Sequence, residues 1–275
     1  MNADPAQRPP LDVARIAGGV GADAGLLVEV VAEAPSTNAL VADRAREGAP
    51  DGLVVVADHQ TAGRGRLDRT WETPAGAALT FSMLLRPTVP TRSWPWLPLL
   101  TGYAVARALI ARGYAAGVKW PNDVLIGEGK VAGILVERVD TPEGPAAVVG
   151  VGLNTGMTAE ELPVPTATSL SLEQGGSPAP DRVAVLLEVL ASIRQAYDAW
   201  QLGGEPAAER LATSYAVACV TVGRAVRVDL PDGSVLEGTA EAVDSSGRLV
   251  VRTADGPREV GAGDVVHVRS VASDG

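Results

Sequence analysis

Between residues 63 and 69 the chain reads Gly-Arg-Gly-Arg-Leu-Asp-Arg. Three arginines interleaved with glycine let guanidinium groups and backbone amides close around an anion such as a phosphate. The same pattern also describes an exposed turn with solvated arginines. A second cluster, Lys119-Trp120-Pro121-Asn122-Asp123 followed by Lys130-Val131-Ala132-Gly133-Ile134-Leu135, sits at the ends of expected strands. There a lysine on one strand reaches back across a hairpin toward Asp123, unless the segment is only a Trp-Pro corner and an Asn-Asp turn. Gly150-Val151-Gly152-Leu153-Asn154 lacks the spacing of a dinucleotide fingerprint, and Gly129-Lys130 is followed by Val131, so no P-loop is present. Ser36-Thr37-Asn38 reads as a helix cap, or as a helix start that offers amides and hydroxyls to a polar ligand.

Composition singles out two of these residues. Only Lys119 and Lys130 among the 23 basic residues are lysines, and asparagine occurs only at 2, 38, 122 and 154. Arginine can supply general surface charge, but it does not replace a lysine whose compact ammonium must fit one place. The surviving lysines, eleven positions apart, are therefore candidates for chemistry.

These residues need a scaffold. Strands are expected at 26–31, 53–57, 78–85, 124–126, 130–138, 146–153 and 166–170; helices are expected over about ten residues between the Ser36-Thr37-Asn38 cap and Gly48, and at 97–112, 181–200 and 205–214. Grouped strands with interspersed helices predict an α+β domain, with helices packed on a mainly antiparallel sheet. From Gly223 the pattern changes to short alternating runs separated by PDG, DSSG and ADG turns, the signature of a small five-stranded SH3-like barrel. The expected organisation is a flexible segment over 1–25 with at most a short helix near 11–17, a main domain over 26–222 and the barrel over 223–275.

Hydrophobic residues at 46% provide for a sizeable core, and a net charge of −10 argues against coating nucleic acid or an anionic membrane. The polar N-terminus carries no signal peptide, and the longest apolar stretch is broken by prolines, so a soluble cytoplasmic protein is expected. One cysteine, Cys219, excludes an internal disulfide and is expected to be a buried structural thiol. His59 and His267 lie too far apart in sequence to suggest a metal cluster, and His267 is expected to be structural.

Six segments in order, PSTN (35–38), HQTAGRGRLDRTW (59–71), FSMLLRP (81–87), KWPND (119–123), KVAGILVE (130–137) and GVGLN (150–154), together resemble biotin protein ligases, whose catalytic domain has a class II synthetase-like fold. Both lysines and three of the four asparagines fall inside these segments. The resemblance implies that biotin and Mg·ATP form biotinyl-5′-AMP, which then biotinylates a specific lysine of the biotin carboxyl carrier domain of an acyl-CoA or acetyl-CoA carboxylase.

Carried over by position, Ser36, Thr37 and Asn38 bind the ureido ring and neighbouring parts of biotin, and Gln60 lies beside its tail. Arg64, Gly65 and Arg66 belong to the ligand-binding loop, with Arg66 retaining the adenylate. Lys130 stands at the carboxylate and α-phosphate. Asp123 places Mg²⁺ or the incoming lysine; Arg69, Lys119, Asn122 and Asn154 contact the nucleotide side, and Trp71 closes over adenine. Asp68 stands where the family's loop has its third glycine, which bears on loop dynamics and adenylate retention.

Lipoyl or octanoyl transfer shares this fold but would need its own glycine-rich signature or a placed cysteine nucleophile. A ligase–repressor would need roughly 60 residues for a winged helix before PSTN, where about 34 stand here, so DNA binding is not expected. A non-catalytic biotin-binding relative is disfavoured by the intact Lys130, Asp123 and arginine loop. Oligomeric state is left open between monomer and homodimer.

Overall fold

The computed structural model describes residues 8–21, 24–67, 69–175 and 180–268. Seven strands form the larger sheet: β1 (Leu27–Ala34), β2 (Leu53–Gln60), β3 (Ala78–Leu85), β4 (Ala116–Lys119), β5 (Asp123–Ile126), β6 (Gly129–Thr141) and β7 (Gly144–Asn154). Their order is β1-β2-β3-β7-β6-β5-β4, and only β1 and β2 pair in parallel.

Alternation along β2 explains how the sheet is covered. Val54 and Val56 point into the main core, while Leu53 and Val55 join a smaller cluster with Val41 and Ala45 of α2 (Thr37–Arg46). Every residue of the central strand β3 is consequently buried. On the main-core side lie α3 (Trp96–Ala111) and α5 (Arg182–Leu202), with α6 (Gly204–Ala218) beyond. Eleven of the sixteen α3 residues are buried, which accounts for its apolar composition all round. Each fully buried leucine contributes about 1.5–3 kcal/mol of burial free energy. Asp181 caps α5 by accepting hydrogen bonds from the amides of Val183 and Ala184.

The tail forms a second, wholly antiparallel sheet from β8 (Ala225–Asp229), β9 (Val235–Val243), β10 (Leu249–Thr253), β11 (Gly256–Val260) and β12 (Asp264–His267), in the order β11-β10-β9-β8-β12. Its outer strands do not pair with each other among the described residues, so the sheet is not closed hydrogen bond by hydrogen bond. It is stitched to the larger unit by two indole donors: Trp96 Nε1 to the Ser245 carbonyl (2.8 Å) and Trp120 Nε1 to the Gly247 carbonyl (3.0 Å). Val226, Val228 and Val251 continue the main core into it.

Three expectations need revision. Residues 166–170 do not form a strand: Ala167 makes one bridge to Lys130, and α4 (Leu170–Glu173) begins where the Ser169 side chain accepts the Leu172 amide. Pro163 and Pro165, lacking amide protons, break up the approach. β4 was not anticipated, because four residues containing Gly117 carry no alternation. The short helix expected near 11–17 is present as α1 (Val13–Gly19), but the described part of the N-terminal segment is tied down: Ile16 and Leu11 are buried, and Arg8 pairs with Glu161 at 2.6 Å. Cys219 is buried, as expected. Among the described residues, no helix is long and apolar enough to cross a membrane.

Candidate active site

A cleft opens where the start of α2, the ends of β2 and β5, the middle of β6 and β7, and the 61–77 loop converge. Ser36, Thr37, Asn38 and Gln60 line one end, and Arg64, Gly65, Arg66, Arg69 and Trp71 form its loop side. Asn122, Asp123 and Lys130 complete the other end.

The α2 end is a polar network rather than a simple helix cap. Ser36 makes no side-chain capping bond; instead the Thr37 amide donates to Gln60 Oε1 (2.8 Å). Asn38 is held on both sides of its amide: Oδ1 accepts from Ser82 Oγ (2.5 Å) and Nδ2 donates to Glu137 (2.6 Å). Asn38 is nearly fully buried, so these bonds fix its orientation.

Glycines make the floor. Gly133 on β6 stands opposite Gly152 on β7, and Leu135 opposite Gly150. A Cβ at Gly150 would come within 2.2 Å of Asn38 Oδ1, and one at Gly152 within 2.3 Å of Trp71 Cε2. The Gly-x-Gly spacing thus seats two side chains against a strand. The Trp71 indole rests on that floor, 5.7 Å from Lys130 Nζ to its ring centroid, and its buried Nε1 has no hydrogen-bond partner.

The loop folds as a tight hairpin, with the Gly65 amide bonded to the Arg69 carbonyl (2.7 Å) and the Trp71 amide to the Gly63 carbonyl (2.9 Å). Among its described residues Leu67 is left-handed, with φ of 54°. The expectation for Asp68 lies outside the described residues. Arg64 pairs with Glu137 (3.0 Å), Arg69 with Asp264, and Lys130 with Asp123. Arg66 differs: it donates to Asn122 Oδ1 (2.8 Å) and the Gly263 carbonyl (3.4 Å), both neutral. Burial draws its pKa down, partly offset by the charges of Asp123 and Asp264. Arg66 remains a cation, and among the described residues it has the least carboxylate neutralisation at close range of the three loop arginines.

The Lys130 ammonium lies 2.7 Å from Asp123 Oδ1, an ion pair by distance whose alignment falls short of a directed hydrogen bond. That oxygen can still accept a second donor. An ammonium, a half-buried guanidinium and a carboxylate on one wall suit the joining of two anions followed by reception of an amine.

Two expected residues fall elsewhere. Lys119 does not line the cleft; on β4 its charge acts on His267, whose pKa is pushed down to about 4 by burial first, then by Lys119 and Arg224. Asn154 is buried beyond the floor, donating to the Thr168 carbonyl (2.9 Å), with Oδ1 unpaired. Glu137 and Asp264 were not singled out from sequence. Glu137 stood inside a matching segment without a role, and Asp264 lies nearly 200 residues from the loop in an ordinary alternating strand. Among the described residues no group of three or more His, Cys, Asp or Glu side chains could hold a metal ion.

Comparisons with known proteins align with this geometry. The profile of the Biotin/lipoate A/B protein ligase family matches residues 30–154, and that of the Biotin protein ligase C terminal domain matches 221–268. The biotin--[acetyl-CoA-carboxylase] ligase of Mycobacterium tuberculosis is 42% identical over 270 residues, spanning 95% of this chain and 97% of that protein. A ligase of the same name from Paracoccus denitrificans is 33% identical, across 86% of this chain and 98% of its own. Among solved structures, the biotin protein ligase from Aquifex aeolicus in complex with biotin and ATP superposes with a TM-score of 0.73 at 28% identity, covering 88% of this chain and 99% of that one.

Proposed function

The chain belongs to the biotin protein ligase family, and from that premise we propose that it activates biotin with ATP and transfers it to a lysine of a biotin carboxyl carrier domain. The observation that carries this reading is the single cleft in which Asn38, Gln60, Arg66, Lys130 and Asp123 meet.

In the first half-reaction a biotin carboxylate oxygen attacks the α-phosphorus of ATP, and the bond to pyrophosphate breaks. Lys130 and Arg66 offset the repulsion between carboxylate and triphosphate and stabilise charge growing on the α-phosphoryl oxygens. Asn38, Thr37 and Ser36 hold the ureido end, with Asn38 Oδ1 and Nδ2 oriented by Ser82 and Glu137. Gln60, fixed by the Thr37 amide and hydroxyl, borders the tail. In the second half-reaction the acceptor amine attacks the acyl carbon and AMP leaves. Asp123 is placed to receive the amine's proton or orient the amine.

Trp71, Arg69 and Asn122 line the nucleotide side, and the loop excludes water from the anhydride. Lys119 and Asn154 lie outside this lining, at the ends of β4 and β7. Asp123 is the cleft carboxylate beside Lys130 that would help hold Mg²⁺. Its engagement with Lys130 suits a cation that enters on the triphosphate and keeps mostly phosphate and water ligands. Bound there, Mg²⁺ would neutralise phosphate charge.

The second sheet is read as an SH3-like barrel appended to the catalytic unit, and ATP-dependent chemistry on a carrier protein fits a cytoplasmic location. Buried Cys219 lies outside the cleft lining, which disfavours a cysteine-dependent acyl transferase. The test is transfer of biotin to a purified carrier domain, read by mass increase. The expected result is one biotin per domain, abolished when the acceptor lysine is replaced by arginine. Absence of labelling with active ATP and biotin would contradict the proposal.

A further inference from the structure

The arginine loop is held at its tip by the second sheet. Arg69 is ion-paired with Asp264, the first residue of β12, and Arg66 reaches the carbonyl of Gly263 next to it. Asp264 itself lines the cleft, the only second-sheet residue that does so among the described residues. It stands opposite Asp229 in the β8–β12 ladder, so two carboxylates sit abreast and favour a cation beside them. The charges of Asp264, Asp123 and Asp229 all act on Arg69, with the Asp264 bond the largest influence.

This geometry points to Asp264 as a positioning residue: we propose that its carboxylate, with the Gly263 carbonyl, anchors the hairpin tip so that Arg66 and Arg69 face the cleft and the loop stays closed over the adenylate. The inference rests on the ligase reading above. An exposed ion pair contributes little to global stability, because solvent screens it and two side chains must be ordered. Its leverage is local. The tip is a seven-residue hairpin whose exposed Leu67 adopts a left-handed backbone, and its described residues make no main-chain pairing with the second sheet. Side-chain ties to Glu137, Asn122, Gly263 and Asp264 are what set its position. Only the last two come from the C-terminal tail that forms the second sheet. When phosphates enter, the Arg69 fork has donors enough to keep Asp264 and bind an anion together.

The experiment uses the full chain carrying Asp264→Asn or Asp264→Glu. After one round of adenylation with labelled biotin, release of biotinyl-5′-AMP is followed by rapid filtration, and KM for ATP and kcat for exchange are measured beside biotin affinity. Asp264→Asn is expected to release the adenylate about tenfold faster, which corresponds to about 1.4 kcal/mol. It should raise KM for ATP several-fold while biotin affinity and thermal midpoint stay near wild type. Asp264→Glu should restore most of the retention, and Asp264→Asn combined with Arg69→Ala should be no worse than Arg69→Ala alone. Retention unchanged within twofold in Asp264→Asn, or fully additive losses in the double variant, would overturn the anchor. Failure of the wild type to form any adenylate would instead refute the ligase reading, so the two failures are distinguishable.

Discussion

Two floor glycines, two residues apart on β7, should separate the two substrates kinetically. Replacing Gly150 by alanine puts a methyl 2.2 Å from Asn38 Oδ1, over 1 Å inside ordinary contact distance. Asn38 cannot simply turn away. It is nearly fully buried, accepts from Ser82 and donates to Glu137, so displacing it breaks at least two bonds. Two lost hydrogen bonds at about 1 kcal/mol each, with at most about 1 kcal/mol of overpacking left once the Asn38 amide is displaced, give an expected loss of about 2–3 kcal/mol in biotin binding. That is roughly a 30- to 150-fold rise in KM for biotin. Gly152→Ala instead drives its methyl to 2.3 Å from the Trp71 indole. The indole has no hydrogen bond to hold it and lies on a loop, so it should swing out at lower cost. What is lost is the surface that closes on adenine, and KM for ATP should rise about tenfold while KM for biotin changes less than threefold. Steady-state carrier biotinylation with each substrate varied in turn provides the assay, and tryptophan fluorescence reports the Trp71 displacement. If both variants raised the same KM, or if Gly150→Ala left biotin binding intact, the assignment of the two ends of the cleft would be wrong.

Lys130→Ala should lower adenylate formation by about 10²- to 10³-fold, the usual effect of removing one charge-stabilising donor. Calorimetric biotin affinity should fall far less, and equal losses in both would contradict the role of this lysine. Arg66→Gly should leave biotin binding intact but leak biotinyl-5′-AMP, seen as biotin on bystander lysines of an added unrelated protein; full acceptor specificity would rule out retention by this side chain. His267 concerns stability and not catalysis. Its folded pKa is about 4 against an ordinary 6.5, so the unfolded chain binds the proton first and stability falls as pH drops from about 6.5 toward 4. The shift corresponds to about 3.4 kcal/mol at most and, for a half-buried ring, to about 1–2 kcal/mol. Urea midpoints of His267→Gln should be flatter than wild type across that window, and an unchanged slope would refute the assignment.

Where alternation and turn residues are strong, sequence and structure agree closely. Residues 78–85 were expected as a strand and form β3 over the same span, and the five short runs after Gly223 became β8 to β12. Local pattern failed where long-range contacts decide. β4 has no alternation of its own and exists because β5 pairs with it and the chain at Cys219 runs beside it. The 1–25 segment looked loose in composition, yet Arg8, Leu11 and Ile16 find partners far along the chain. For the cleft, short-range motifs named its α2 end, its loop and the Lys130–Asp123 pair. Lys119 was placed with them through the KWPND match, but it stands on β4, outside the cleft lining, where its charge acts on His267. Asp264 carried no signal at all, since its role depends on how the second sheet meets the loop.

The central claim is that this cleft joins a biotin carboxylate to the α-phosphate of ATP. It is tested most directly by exchange of labelled pyrophosphate into ATP, with biotin, lipoate and octanoate compared as the activating acid. Rapid exchange with biotin, little with the other two, and its loss in Lys130→Ala are the predicted results. Exchange driven by lipoate or octanoate but not biotin, or no exchange despite tight biotin binding, would contradict the account.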